Sequence, residues 1–256
     1  MTKRNIPSWA LYAASLVFWV GAWWLIAAIF AKPLLLPTPL DAAKALLTLM
    51  GTSTFYLTVA TSLLRIVAGI AAALVTGALL ALVTVKSRVC HFFFAPLLTF
   101  FKATPVASII FLMMLWVGRT NVPFFIAYMM ALPIVWSNVR EGLLATDKKL
   151  LEMAHVFKVP RAYVLRKIHL PSLTPYFLAA ARSAISLAWK AGVAAEVLCT
   201  PERSIGRAIY EGKMYLLTDE LFAWTLVVVV ISILVEWLAL SLLSRAQGKY
   251  AKEATV

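Results

Sequence analysis

The sequence predicts an all-α integral membrane protein, with six transmembrane helices and a short two-helix loop between the fourth and fifth. Three observations carry that prediction. Of 256 residues, 62% are hydrophobic and 14% charged, too few polar groups to cover a water-soluble surface. Six segments, near 9–31, 54–85, 92–117, 123–145, 172–199 and 221–244, reach the roughly 20 apolar residues that a helix needs to cross hydrocarbon. Between the fourth and fifth lies the third observation, a polar stretch over 146–171.

Taken in order, the first span follows Lys3 and Arg4. Its apolar run is too long for a signal peptide and lacks a small-x-small cleavage site, so it reads as a retained anchor. Leu34-Leu35-Leu36-Pro37-Thr38-Pro39 is too rich in proline for helix, whereas Leu40, Ala43, Leu46, Leu47 and Met50 recur at helical spacing and predict a short helix along the outer interface. Residues 1–53 thus form an anchor with an interfacial helix, 54–245 a membrane core, and 246–256 a tail.

The second span is longer than a bilayer needs and is expected to tilt or project. Ala68-Gly69-Ile70-Ala71-Ala72-Ala73 within it, and Ala179-Ala180-Ala181 in the fifth, are small enough to let helix backbones approach closely. The third span carries Lys102-Ala103-Thr104-Pro105 about 15 Å from its start at helical rise. Pro105 frees carbonyl groups at that depth, which are tolerated where they line protein or a cavity. Between spans five and six, 201–219 mixes charges with Ile205, Ile209, Tyr210 and Tyr215 and reads equally as a lid, a docking rim or a solvated loop. Trp9, Trp23, Trp24 and Trp224 near span ends read as headgroup anchors.

Charge sets the orientation. If the amino terminus lies inside, the inner segments hold fourteen Lys and Arg, including Lys3, Arg4, Lys86, Arg88, Arg140, Arg245, Lys249 and Lys252, and the outer segments hold six. That bias favours both termini in the cytoplasm. The net charge of +13 would suggest nucleic acid in a soluble protein, but its distribution here is a membrane topology signal, and no nucleic-acid partner is expected.

Arg65, Lys102, Arg182, Lys190, Glu196 and Glu236 fall within the spans. Ionisable groups at such depth face a partner or a watery cavity, and four cations cannot all pair with two anions. On span five Arg182, Ser186, Trp189 and Lys190 recur at three-to-four spacing. With Lys102, Thr104, Pro105 and Glu196 they form the candidate translocation path. The competing reading is a buried structural network in which Lys190 pairs with Glu196, or Arg65 with Glu236.

In the polar loop, Asp147 is a plausible N-cap for a helix over 148–158, with Leu150, Leu151, Ala154 and Phe157 along one side. Pro160 ends it and opens a second helix over 161–168, which Leu170-Pro171 stops. Seven of the chain's 24 Lys and Arg lie between Arg140 and Lys167. The loop therefore predicts a rigid, basic protrusion.

Glu152-Met153-Ala154, Lys158 and Ile168-His169-Leu170-Pro171 follow the spacing E-A-A-x-x-x-G-x(9)-I-x-L-P. This resembles the cytoplasmic loop of binding-protein-dependent ABC importer permeases of the type I fold. Leu35-Leu36-Pro37-Thr38-Pro39-Leu40-Asp41, Ser62 to Gly69, Leu115-Trp116-Val117-Gly118 and Ala194-Ala195-Glu196 are similar to the branch serving nitrate, sulfonate, taurine and thiamine-precursor uptake. The likeness runs from about Leu34 to Arg245. Two positions depart from it: Met153 stands for an alanine, and Lys158 for a glycine that allows a left-handed turn.

The resemblance implies that Glu152, Met153, Ala154, His155, Lys158, Pro160 and Arg161 dock into an ATPase subunit, with Ile168, Leu170 and Pro171 closing the loop. It further implies two copies of that ATPase, which carries ATP and Mg, a second permease copy, and an extracytoplasmic substrate-binding protein. The setting would be the inner membrane of a bacterium. The surplus of intramembrane cations favours a small anion such as a sulfonate as substrate, with a thiamine-precursor heterocycle as the alternative.

No nucleotide-binding glycine motif, H-E-x-x-H or C-x-x-C occurs, so the chain is expected to be a non-catalytic transport subunit without a cofactor of its own. His91, His155 and His169 lack metal-ligand spacing and read as packing or hydrogen-bonding residues. Cys90 and Cys199 lie at opposite span ends, and no disulfide is expected. An ion-coupled transporter would show an internal repeat and a membrane enzyme a cluster of His, Asp or Glu, and the sequence carries neither signal.

Overall fold

Proline, glycine and short polar residues set nearly every helix boundary in this chain. The computed structural model describes residues 8–32 and 34–253, with side chains over 10–32 and 34–243. Lys3 and Arg4 lie outside the described residues, as do the side chains of Trp9, Arg245, Lys249 and Lys252. Helix α1 is Ser8–Phe30, α2 Pro39–Met50, α3 Ser53–Lys86, α4 Arg88–Ala103, α5 Val106–Val117 and α6 Val122–Leu144. Helix α7 is Lys148–Val156 and α8 Arg161–Val164, followed by a π-helical turn at Leu165–His169, α9 Leu170–Cys199, α10 Ile205–Met214 and α11 Thr218–Glu253.

The caps follow from the sequence. Thr38 and Asp41 form a reciprocal capping box on α2 with Pro39 in its first turn, and hydrogen bonding to Thr38 holds the Asp41 carboxyl below its usual pKa. Thr52 accepts from the Phe55 N–H at the start of α3, and Ser87 from Cys90 at the start of α4.

Among the described residues four helices are long and apolar enough to cross a membrane: Ala10–Phe30, Ser53–Lys86, Val122–Leu144 and Thr218–Leu243. The expected third span is not one straight rod, because α4 and α5 meet at 109°. Thr104 takes an extended conformation ahead of Pro105, which has no N–H to continue the α4 ladder. The pair adds a fifth crossing if counted as one broken span. Helix α9 has the length, at 30 residues, but carries Arg182, Lys190 and Glu196 and falls outside the apolar set.

Helix α6 lies between α3 and α9, and the core is built along those two seams. Ile66, Ile70 and Ala73 of α3 meet Ala127, Ala131 and Val135 of α6, with Ala181, Ala184 and Ala188 of α9 on the other side. A Cβ at Gly69 would stand 2.4 Å from the Phe124 carbonyl oxygen, so only glycine permits this crossing. A second cluster joins Ile109 and Ile110 of α5 to Ile126 of α6 and Ala195 of α9. Helix α2 packs on α11.

Two of the tryptophans expected at headgroups are packing residues instead. Trp224 is buried and stacks on Phe55 at 5.1 Å, while Trp23 stacks on Phe222 and donates Nε1–H to the Pro37 carbonyl at 3.1 Å. Each lies where two elements converge, so its ring fills an interhelical gap.

Candidate functional site

The polar loop folds as a bent knob. Asp147 caps α7, its Oδ1 accepting from the Lys149 N–H at 2.8 Å. At the other end Lys158 stands at φ +51°, its N–H donating to the His155 carbonyl at 3.1 Å, and Val159 donates to Ala154 at 2.9 Å. This pair of bonds is a Schellman motif, formed without the usual glycine. The Pro160 carbonyl then accepts from the N–H groups of Tyr163 and Val164, starting α8 in a new direction.

The second helix of the loop does not stop at Leu170-Pro171. The chain stays helical from Arg161 to Cys199, with the Leu170 N–H donating to Leu165 in a π turn. The wider turn falls just before Pro171, whose missing N–H and bulky ring would disrupt a regular α ladder. Thr146 Oγ1 lies 3.4 Å from His169 Nδ1 and ties the start of the knob to this turn.

Ala154 is 4% exposed and, with the half-buried Leu151, faces inward. Glu152, His155, Lys158, Pro160 and Arg161 are exposed. Phe157, which the helical spacing set on the same side as Ala154, is 75% exposed, since it lies one residue past the last helical position and the 3.6-residue pattern no longer governs it. Met153, Val156 and Phe157 together make an exposed apolar patch among basic residues. Sequence reasoning missed Val156, although its i+3 relation to Met153, on the side away from Ala154, was a usable signal.

Within the helices the charges pair differently from either expected arrangement. Arg65 Nη1 lies 3.9 Å from Glu196 Oε1, and Arg182 Nε lies 3.2 Å from Glu236 Oε1. The second pairing follows from depth, because both residues stand about 25 Å from the α10 end of their helices. Arg182 and Lys190 are exposed and Ser186 half-buried on α9. Lys102 Nζ, also exposed, reaches Ser137 Oγ at 3.4 Å, beside Thr104 and Pro105 at the α4–α5 break. Trp189 turns away from this face: it is fully buried and donates to the Val228 carbonyl at 3.3 Å. Glu196 is also fully buried. A groove of about 740 Å³ opens between α9 and α11, with Arg182, Glu236 and Trp237 on its walls.

Residues 66–247 match the model of the family described as "Binding-protein-dependent transport system inner membrane component". The chain belongs to that family. The permease is 26% identical over 234 residues to the taurine transport system permease protein TauC of Escherichia coli K12, covering 88% of this chain and 84% of that one. It is 25% identical over 188 residues to the bicarbonate transport system permease protein CmpB of Synechococcus elongatus, covering 66% and 67%. With the putative aliphatic sulfonates transport permease protein SsuC of Bacillus subtilis it shares 24% over 198 residues, covering 77% and 71%.

The permease is thus a multi-pass membrane subunit of an ABC importer in the taurine, sulfonate and bicarbonate family. Of its histidines, His91 stacks on Trp136 with ring centroids 5.9 Å apart, and Trp136 donates to Thr84 Oγ1 at 2.9 Å. Among the described residues no group of three His, Cys, Asp or Glu could hold a metal, and both cysteines are free.

Proposed function

We propose that this permease carries a small anion across the cytoplasmic membrane of a bacterium, driven by a separate ATPase that grips the α7 knob from the cytoplasm. The observation that carries the reading is the exposed patch of Met153, Val156 and Phe157 beside Glu152 and Arg161, held rigid by the Asp147 cap and the left-handed Lys158 turn. An apolar patch rimmed by charge on a membrane protein's longest polar loop suits a soluble partner with a complementary cleft.

Six crossings, with both termini inside, complete the arrangement. They count the broken α4–α5 pair and α9 as spans. Helix α9 needs less hydrophobicity than a lipid-facing helix, because α3, α6, α10 and α11 cover most of it. Two copies of the permease, two ATPase chains holding ATP and Mg, and an extracytoplasmic binding protein make up the working particle. The second copy covers the face of α9 bearing Arg182 and Lys190, which lipid would solvate poorly.

Lys102, Thr104 and Pro105 at the α4–α5 break, with Arg182, Ser186 and Lys190, line the path. The positive charge of Lys102 and Lys190 supports an anionic substrate of the sulfonate type, in keeping with the taurine and aliphatic sulfonates that two of the relatives are named for. Trp189 and Glu196 serve the scaffold around it. Changing Glu152 to Arg tests the assignment: transport in whole cells should fall at least about tenfold, while substrate capture by the binding protein is unchanged. Undiminished transport by that variant contradicts it.

A further inference from the structure

Glu196 is fully buried near the end of α9, where a carboxylate must find compensating donors. It finds them on two other helices. Glu196 Oε2 accepts from Ser62 Oγ of α3 at 2.8 Å and from the Gly206 N–H of α10 at 3.2 Å. Ser62 Oγ in turn accepts from the Ile205 N–H at 2.9 Å. Two amides in the first turn of α10 are therefore satisfied by side chains from α9 and α3, with the carboxylate at the positive end of the α10 dipole.

The joint is built for close approach. A Cβ on Gly206 would stand 2.3 Å from Glu196 Cβ, so no larger residue fits between α9 and α10. The connecting turn passes through left-handed Thr200 at φ +46° and Arg203 at φ +50°. From α3, Arg65 Nη2 donates to the Glu202 carbonyl at 3.3 Å and Thr61 Oγ1 to the Arg203 carbonyl. At 3.9 Å the Arg65–Glu196 contact is an ion pair but not a hydrogen bond.

We infer that Glu196 is a positioning residue that locks α10 to α9 and α3, so that a change in tilt of α9 carries α10 with it. Helix continuity from Arg161 to Cys199 makes α9 the lever, joining the knob at one end to α10 at the other. Tyr210 and Lys213 are exposed on α10, as is Tyr215 just past its end, and they move with the lock. The direction of that movement, from an ATPase at the knob toward a binding protein at α10, rests on the proposed function; the lock itself does not.

The test has two arms, both on the full-length chain. In lipid nanodiscs, hydrogen exchange is compared for wild type, Glu196→Ala, Glu196→Gln and Ser62→Ala. Glu196→Ala is expected to speed exchange of the 205–214 amides at least about tenfold and leave 126–139 unchanged, with Glu196→Gln close to wild type because an oxygen acceptor remains. Ser62→Ala removes the Ile205 acceptor and gives the same loss in the first turn, so the lock stays testable if Glu196→Ala does not fold. Unchanged exchange at 205–214 in Glu196→Ala and in the first turn of Ser62→Ala, or equal loosening of 126–139, overturns it.

In the assembled transporter, Glu196→Ala should lose at least about tenfold of the hydrolysis stimulated by the binding protein while basal hydrolysis stays within about twofold of wild type. An equal fall in both rates, or full stimulation, overturns the lever. If the wild-type chain itself does not alter the ATPase, the proposed function fails while the exchange arm still judges the lock.

Discussion

The Val159 N–H donates to the Ala154 carbonyl at 2.9 Å, and what turns it there is Lys158, which adopts a left-handed conformation at φ +51°. A side chain in that region costs about 1–2 kcal/mol that glycine does not incur. Lys158→Gly is therefore expected to keep the knob's geometry and raise stability by up to about 1 kcal/mol once glycine's greater freedom in the unfolded chain is offset. Thermal unfolding in detergent checks it: an unchanged or slightly higher midpoint fits, and a lower one does not. Lys158→Val, β-branched at the same position, should lower it.

Phe157 contributes little to the fold, being 75% exposed beyond the end of α7. Phe157→Ser should leave the unfolding midpoint within about a degree of wild type but weaken ATPase binding at least about tenfold, as for an apolar anchor at a partner's cleft. Co-purification yield and binding isotherms in detergent measure the loss.

Gly69 faces the opposite constraint. The Phe124 carbonyl leaves no space for a Cβ, and the clash is with backbone rather than a movable side chain. Gly69→Val should separate α3 from α6 and cost about 3 kcal/mol or more. It is expected to show as a lower unfolding midpoint and reduced monodisperse yield, whereas Gly21→Val in α1, where nothing lies within 4 Å, should be neutral.

Lys102 and Lys190 bear on the substrate. Removing both as Lys102→Ala/Lys190→Ala takes the strongest exposed positive charge from the proposed path and should cut uptake of an anionic substrate at least about tenfold. Ser137→Ala, which removes only the 3.4 Å partner of Lys102, should cost much less. Uptake that survives the double change removes the electrostatic case for an anion.

How much of the fold and site was legible in the sequence depended on the scale of the signal. Hydrophobic runs located α1, α3, α6 and α11, and the apolar spacing from Leu40 and the Asp147 cap placed two helix starts within a residue, although Pro39, read as outside the helix, is the first residue of α2. The break at Thr104-Pro105 was visible as a proline, but its 109° angle depends on what α5 packs against. Pro171 misled, since a π turn makes room for a ring that a one-dimensional rule reads as a stop. Residues 201–219 could not be told apart as lid, rim or loop, because α10 owes its first turn to Glu196 and Ser62, and Ser62 is distant in sequence. The pairing of Arg65 with Glu196 was hidden for the same reason, and Trp189 on the polar face of a helical wheel went inward to reach Val228.

The central claim is that the α7 knob is the place where a separate motor grips this permease. A photoactivatable cross-linker installed at Met153, which is 50% exposed, tests it most directly in the transporter assembled in membranes. The expected result is a cross-link to the nucleotide-hydrolysing chain from Met153, and no such product from Tyr210 on α10. Cross-linking from Tyr210 in place of Met153, or no ATPase product from Met153 in a particle that hydrolyses ATP, contradicts it.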